Sequence, residues 1–356
     1  MITISVCMIV KNEQDILYSC LSSLAKIADE FIIVDTGSTD DTKRVAAQFT
    51  DKIYDFTWIN DFAAARNFAF SKANCDYIYS ADADEVLDEL NQNRFLQLKQ
   101  MILPEIDIVQ MKYLNMMETN TTYNSKLEYR PKLYKRLRTF TWVDPIHETV
   151  VLDPVIYDSD IEIRHMAVGD HSGRDFELLR NTFLSGKPFS KKLHGMYAKE
   201  LFMAGRSLDF LNAAPIFEET IAESTRSEHE RKEAACVLAR CYRLSNDLNN
   251  FFKICLRDMV TTPCAEICIE LGEYFFSQND YDEAAIWFQN AAYETESEVY
   301  IRSSGDIPRR RLADCYMQIA GDMERRHGSR EDINRYVAEA EKMSNEADAW
   351  ELPESL

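Results

Sequence analysis

The sequence predicts an α/β unit followed by an all-α unit, and three observations carry that reading. Over the first 85 residues, apolar runs rich in β-branched side chains alternate with helical periodicity, the pattern of a parallel sheet with crossover helices. Polar clusters close three of those stretches, at residues 11–13, 35–41 and 82–85. Beyond residue 173 apolar residues recur at helical spacing to the end of the sequence. A boundary near residues 170–176 divides the chain into 1–172 and 173–356, two lengths that each suit one domain.

Residues 2–10 are apolar without strict alternation, which predicts a strand buried on both faces. The run stops at Lys11-Asn12-Glu13, and from Asp15 a helix is expected with Ile16, Leu17, Cys20, Leu21 and Leu24 on one face. Phe31-Ile32-Ile33-Val34 reads as a second strand ending at Asp35. The turn and N-cap residues Thr36-Gly37-Ser38-Thr39-Asp40-Asp41-Thr42 precede another helix. Residues 52–55 form a third short strand, residues 64–73 a helix, and residues 76–80 a fourth strand that runs into Asp82-Ala83-Asp84-Glu85. Ligands of such sheets lie beyond the carboxyl ends of the strands, so the three polar clusters are expected to share one crevice. Residues 106–164 change to strands broken by turns, at 108–113, 132–136, 150–152 and 161–163, a mixed extension of the sheet.

In the second half, Leu271, Gly272, Phe275, Tyr281, Ala284, Phe288 and Ala291 occupy the small and aromatic positions of a tetratricopeptide helix pair. Ala239 and Tyr242 lie 33 residues before Gly272 and Phe275, close to the period of that repeat. Residues 201–222 and 312–340 have helix-pair character at looser spacing, so three or four degenerate pairs are expected to stack on one another.

Composition limits the partners. Sixty acidic and forty basic side chains leave a formal charge of −20, which repels nucleic acid and anionic membrane surfaces. A nucleotide diphosphate is repelled by the same field unless a metal ion or arginines supply local positive charge. No apolar run approaches the roughly 20 residues that span a bilayer, and residues 1–13 lack the basic leader and cleavage site of a signal peptide. Nine cysteines without disulfide-like spacing point to reduced thiols in a cytoplasm. Cys236, Cys241, Cys264 and Cys268 fall inside helical patterns, where cysteine serves as a small core residue rather than a zinc ligand.

Asp82 and Asp84 flank one small residue at a strand end, where both carboxylates can approach one hard cation such as Mn²⁺ or Mg²⁺. Alone this is an acidic turn; its company makes it specific. Val6-Cys7-Met8-Ile9-Val10-Lys11-Asn12-Glu13, Val34-Asp35-Thr36-Gly37-Ser38-Thr39-Asp40, Asn60-Asp61-Phe62-Ala63-Ala64-Ala65-Arg66-Asn67 and Asp82-Ala83-Asp84-Glu85 resemble, in order, the signature blocks of family-2 glycosyltransferases of the GT-A fold. The resemblance continues through Arg130-Pro131-Lys132-Leu133-Tyr134-Lys135, Ile146-His147-Glu148 and Arg164-His165. With its helical tail the chain is similar to the subgroup with fused tetratricopeptide repeats, which includes peptide S-glycosyltransferases.

The resemblance implies a UDP-sugar donor, a Mn²⁺ or Mg²⁺ ion, and an inverting displacement onto a peptide, protein or glycan acceptor. Carried over by position, it implies that Val10, Asn12, Glu13, Asp35, Ser38, Arg66, Asp82 and Ala83 contact the nucleotide sugar, and that Asp82, Asp84 and His165 hold the metal. Asp35 would meet the pyrimidine or its ribose, and Arg66 the diphosphate, which suits its fork of donors. Glu148 is the expected base, with Asp144 in reserve, although His147-Glu148 stands where many relatives have Glu-Asp. For Asp35 the alternative is a carboxylate capping its own turn. For Arg66 it is an exposed helix residue, and for His147 and His165 structural histidines.

Other readings stay open. A nucleotidyltransferase would carry a glycine-rich phosphate loop after the first strand, where this chain has Lys11-Asn12-Glu13-Gln14-Asp15. A tetratricopeptide adaptor with an inactive first domain, and a glycan or lipid-linked acceptor in surface-polysaccharide synthesis, are the remaining alternatives. The helical half is expected to hold the acceptor or to make a homodimer.

Overall fold

Strand β1 (Ile4–Val10) sends alternate side chains into two apolar layers. Ile4, Val6, Met8 and Val10 pack with Leu17, Leu21, Leu24 and Phe95 on one face. Cys7 packs with Ile32, Val34, Ala63, Phe70 and Trp142 on the other. The computed structural model describes residues 1–115, 127–146, 148–150, 154–165, 172–184 and 189–352. Two compact units divide the chain, residues 1–178 and 179–352.

In the first unit β1 is followed by α1 (Leu17–Leu24), β2 (Glu30–Asp35), α2 (Thr42–Ala46), β3 (Ile53–Asp55), α3 (Phe62–Ser71) and β4 (Tyr77–Ala81). β5 (Glu85–Val86), α4 (Glu89–Met101), β6 (Ile108–Asn115), β7 (Leu127–Lys135), β8 (Trp142–Val143), β9 (Thr149–Val150) and β10 (Ile156–His165) complete it. The main sheet runs β3-β2-β1-β4-β7-β6-β10-β5, and β8 with β9 makes a separate hairpin. β1 pairs in parallel with β2 and β4, and β3 joins β2 in parallel. β7 lies antiparallel between β4 and β6, so the sheet is mixed. The chain leaves β1 first toward β2 and later toward β4, which makes the carboxyl end of β1 the topological switch point where ligands of such sheets bind.

Helix α3 starts at Asp61, whose side chain accepts from the Ala64 N–H at 2.9 Å, an N-cap. Its buried Ala63, Ala65 and Ala69 let the helix approach the sheet closely. The strand expected at 150–152 differs: Val150 belongs to the β8–β9 hairpin, and residues 151 and 152 lie outside those described. Helix α4 was not foreseen, since its mostly polar stretch shows no apolar stripe, yet Phe95 anchors it in the core.

α5 (Ser172–Leu184) spans the division between the units. The second unit continues with α6 (Lys191–Ala204), α7 (Ser207–Ala222), α8 (Glu228–Leu244), α9 (Leu248–Val260), α10 (Ala265–Ser277), α11 (Tyr281–Gln289), α12 (Asp306–Arg325) and α13 (Arg330–Asp348). These form four consecutive helix pairs, a tetratricopeptide-like stack. Gly272 of α10 faces the Phe288 ring of α11, and a Cβ there would come within 2.7 Å of it, which explains the small residue at that position. No helix among the described residues is long and apolar enough to cross a membrane.

Candidate active site

The loops after β1 and β2 are laced together at the switch point. Asn12 takes a left-handed backbone (φ 57°) and its N–H donates to Ser38 Oγ at 2.9 Å, while Asn12 Oδ1 accepts from the Thr39 N–H at 2.8 Å. The Glu13 N–H donates to Thr42 Oγ1 at 2.7 Å. Asp35, 1% exposed, accepts from the N–H groups of Gly37 at 3.1 Å and Ser38 at 3.0 Å. Its carboxylate is thus turned into its own loop, the alternative its sequence context allowed.

A cleft of about 310 Å³ lies beside these loops, lined by Val10, Lys11, Asn12, Glu13, Thr36, Trp58, Phe62 and Asp84 among others. Trp58 and Phe62 meet edge to face, ring centroids 4.8 Å apart, and give the cleft an aromatic wall. Asp84 is the member of the acidic turn that lines this cleft. Ala83 instead joins the apolar cluster shared with α1.

Asp82 is engaged from two sides. Its Oδ1 accepts from Arg66 Nη2 at 3.0 Å and its Oδ2 from Lys132 Nζ at 3.1 Å. Burial alone would raise its pKa, but Lys132 and Arg66 outweigh burial and hold the carboxyl well below the usual range. Lys132 also donates to Glu85, whose carboxyl is pushed up to about 7 by burial and by the Asp82 charge, against the pull of Lys132.

Arg66 reaches past Asp82 to the segment after β7. Its Nε donates to Glu148, its Nη1 donates to Ser80 Oγ at 2.7 Å, and the guanidinium lies 5.2 Å from the Trp142 ring centroid. The loop bearing Asp144 and Glu148 is tied to α3: Asn67 Nδ2 donates to the Trp142 carbonyl at 3.0 Å, and the Trp142 N–H donates to Asn67 Oδ1 at 2.8 Å. The Phe62 N–H adds a bond to the Pro145 carbonyl at 2.9 Å. Asp144 sits between these ties in a left-handed backbone, φ 70°.

The structure therefore brings together Arg66, Asp82 and Glu148 from three separate stretches of chain, with Asp84 facing the cleft. The β10 backbone pairs His165 with Glu85, one residue from Asp84. The His165 side chain and all of His147 lie outside the described residues. A hard divalent cation fits the carboxylates of this turn, unevenly: Asp84 opens to the cleft, whereas both oxygens of Asp82 already face cations. Sequence reading assigned no role to Lys132, Trp58 or Glu85. The signal for Lys132 was a lysine in a run of sheet residues, since a fully buried lysine is rare without carboxylate partners.

Residues 5–151 match the family model for glycosyl transferase family 2. The N-terminal unit carries a family-2 glycosyltransferase domain. Its mixed sheet and strand-end cleft are GT-A-like. Among similar curated proteins, an uncharacterized glycosyltransferase of Rickettsia felis is 33% identical over 35% of this chain and 48% of its own length. Glycosyltransferase SunS of Bacillus subtilis is 33% identical over 32% of this chain and 27% of its own. A TPR repeat-containing protein of Synechococcus elongatus is 44% identical over 24% of this chain and 22% of its own. The chain thus spans less than half the length of these relatives. Among solved structures, glucosyl-3-phosphoglycerate synthase from Mycobacterium tuberculosis, in complex with Mn²⁺ and UDP-glucose, is 17% identical with a TM-score of 0.39. That match covers 53% of this chain and 81% of the synthase chain.

Proposed function

We propose that this family-2 glycosyltransferase domain moves a sugar from a UDP-sugar to a peptide or protein acceptor by direct displacement with inversion. The observation that carries the reading is the Arg66 bridge, which joins Glu148 to Asp82 at the edge of the turn whose Asp84 faces the cleft. The acceptor atom attacks the anomeric carbon, the bond from that carbon to the diphosphate oxygen breaks, and the acceptor proton passes to the Glu148 carboxylate. Arg66 holds that carboxylate in place, and the clamp between Asn67 and Trp142 holds its loop. A Mn²⁺ or Mg²⁺ ion, held foremost by Asp84 with Asp82 and His165 the other expected ligands, would neutralise the negative charge of the departing diphosphate. Val10, Asn12, Glu13 and Ser38 shape the nucleotide pocket, with Trp58 and Phe62 as its aromatic wall.

The acceptor class rests on the tetratricopeptide-like stack, since stacked helix pairs present extended surfaces suited to a peptide. Nine free thiols support action in a reducing cytoplasm. Release of UDP from a panel of UDP-sugars with Mn²⁺ tests the reading. Asp84→Ala should abolish release, and Glu148→Gln should bind donor while losing transfer. Full turnover in Asp84→Ala would sink the metal assignment, and a chain that binds no sugar nucleotide would be an adaptor instead.

A further inference from the structure

Helices α8 and α10 open successive pairs of the second unit, and the fold brings Cys236 of α8 against Cys264, which precedes α10 as its N-cap residue. The two sulfurs are 3.5 Å apart, and both residues are free thiols exposed by 1% or less. Glu266, in the first turn of α10, is fully buried, and its carboxylate and the two sulfurs lie within 4.8 Å of one another. Two thiolates on one tetrahedral zinc ion, each about 2.3 Å from the metal, stand about 3.8 Å apart. A disulfide would need the sulfurs to close to about 2.05 Å. The observed separation is therefore a few tenths of an ångström from a shared cation and much further from a covalent bond.

The carboxylate is fixed in place. Glu266 Oε1 accepts from the N–H groups of Val299 and Tyr300 at 3.0 and 2.9 Å, and Oε2 accepts from the Glu298 N–H at 3.0 Å. These amides are its hydrogen-bond partners among the described residues, and they fix the carboxylate oxygens beside the dithiol. An opening of about 370 Å³ on the same unit is lined by Arg231, Lys232, Ala235, Arg257, Asp258 and Thr262 among others, and shares Asp258 with the surroundings of Cys264. Asp258 Oδ2 already accepts from the Cys264 N–H at 3.1 Å, which places a further oxygen at the edge of the group. Lys232 in that opening is tied to Glu298 at 3.1 Å.

We propose that Cys236, Cys264 and Glu266 form a site for one thiophilic divalent cation of the zinc class, with the fourth position taken by Asp258 or water. Binding releases the two thiol protons to solvent and clamps α8 to the start of α10. The site stands apart from sugar transfer and does not depend on it. Titration of the reduced full-length chain with Cd²⁺ tests it, read by the ultraviolet sulfur-to-cadmium charge-transfer band, to which the oxygen ligands of the acidic turn contribute nothing. The expected result is a band that saturates at one ion per chain, persists in Asp84→Ala, and is lost in Cys236→Ala and in Cys264→Ala. Zinc should remain with the wild-type chain after desalting and raise its Tm. Absence of the band in the folded wild-type chain overturns the proposal without recourse to any variant. So does a band undiminished in both cysteine variants, or loss of both thiols to a disulfide in air with no metal bound.

Discussion

The Arg66 guanidinium spends its nitrogens inside the protein, on Glu148, Ser80 and Asp82. A planar fork of donors at fixed angles sets the positions of Glu148, Ser80 and Asp82 relative to one another, a geometry that the compact, freely rotating ammonium of lysine does not reproduce. Arg66→Lys should therefore keep the charge and lose the geometry, with kcat down about 10²-fold and donor affinity nearly unchanged. Equal losses in kcat and in donor binding would show Arg66 acting on the donor instead. Lys132 is a buried cation in the same cluster, 5% exposed between Asp82 and Glu85. Lys132→Met removes the partner of the buried Glu85 carboxylate and of the partly exposed Asp82 and should cost about 3 kcal/mol of stability in urea unfolding. A loss below about 1 kcal/mol would mean the pair is well hydrated.

At the scale of elements, α3 works as a bracket. Asp61 caps its start, Arg66 reaches toward the acidic turn, and Asn67 grips Trp142 by two hydrogen bonds. Asn67→Ala should release the loop carrying Glu148 and lower kcat at least tenfold while UDP affinity stays within a factor of two. Strand β2 is tied at its start through Glu30, which accepts from Ser5, from Lys52, and from the Asn74 N–H at 2.7 Å. Burial opposes ionisation there, but the hydrogen bonds from Lys52, Ser5 and Asn74 prevail and lower the Glu30 pKa to about 2. A depressed carboxyl contributes stability above its unfolded pKa and loses it as pH falls toward the folded value. After allowance for solvent screening, the stability gap between wild type and Glu30→Gln should be about 2 kcal/mol above pH 5 and close progressively toward pH 2. A gap that stayed constant across that window would show packing, rather than charge, at the site.

For the whole molecule, each unit has its own core, and substitutions in one should leave the other's business intact. Phe288 is fully buried in the helical unit, filling the space over Gly272. Phe288→Ala should destabilise that unit by about 3–5 kcal/mol, read by urea unfolding, with UDP binding by the N-terminal unit unchanged. Loss of UDP binding in step with helical unfolding would show the units to be energetically coupled. The charge of −20 works at this scale too. An acidic protein that handles a diphosphate must concentrate positive charge locally. Arg66 and Lys132 are both committed to carboxylates, so under the proposed function that positive charge would come from a cation at Asp84 and from Lys11 in the cleft.

The alternation of strand and helix, the polar strand ends and the spacing of the helix pairs were legible because they depend on local periodicity, which needs no partner to be read. The four blocks of family likeness were legible from residue identities taken in order, and position within or beyond them marked Asp82, Asp84 and Glu148 as candidates. What the tertiary structure decided is which partners each of those residues meets. Asp82 and Asp84 look equivalent in sequence, yet strand β7 delivers Lys132 and helix α3 delivers Arg66 to Asp82, leaving Asp84 to face the cleft. Asp35 was read both as a nucleotide ligand and as a turn cap, and the fold shows it accepting from the N–H groups of its own turn. Cys236 and Cys264 look like unrelated core residues 28 apart until two helices bring their sulfurs into contact. Periodicity reports which face of an element is apolar. Which charges meet across elements depends on register and crossing, and that information exists only once the chain has folded.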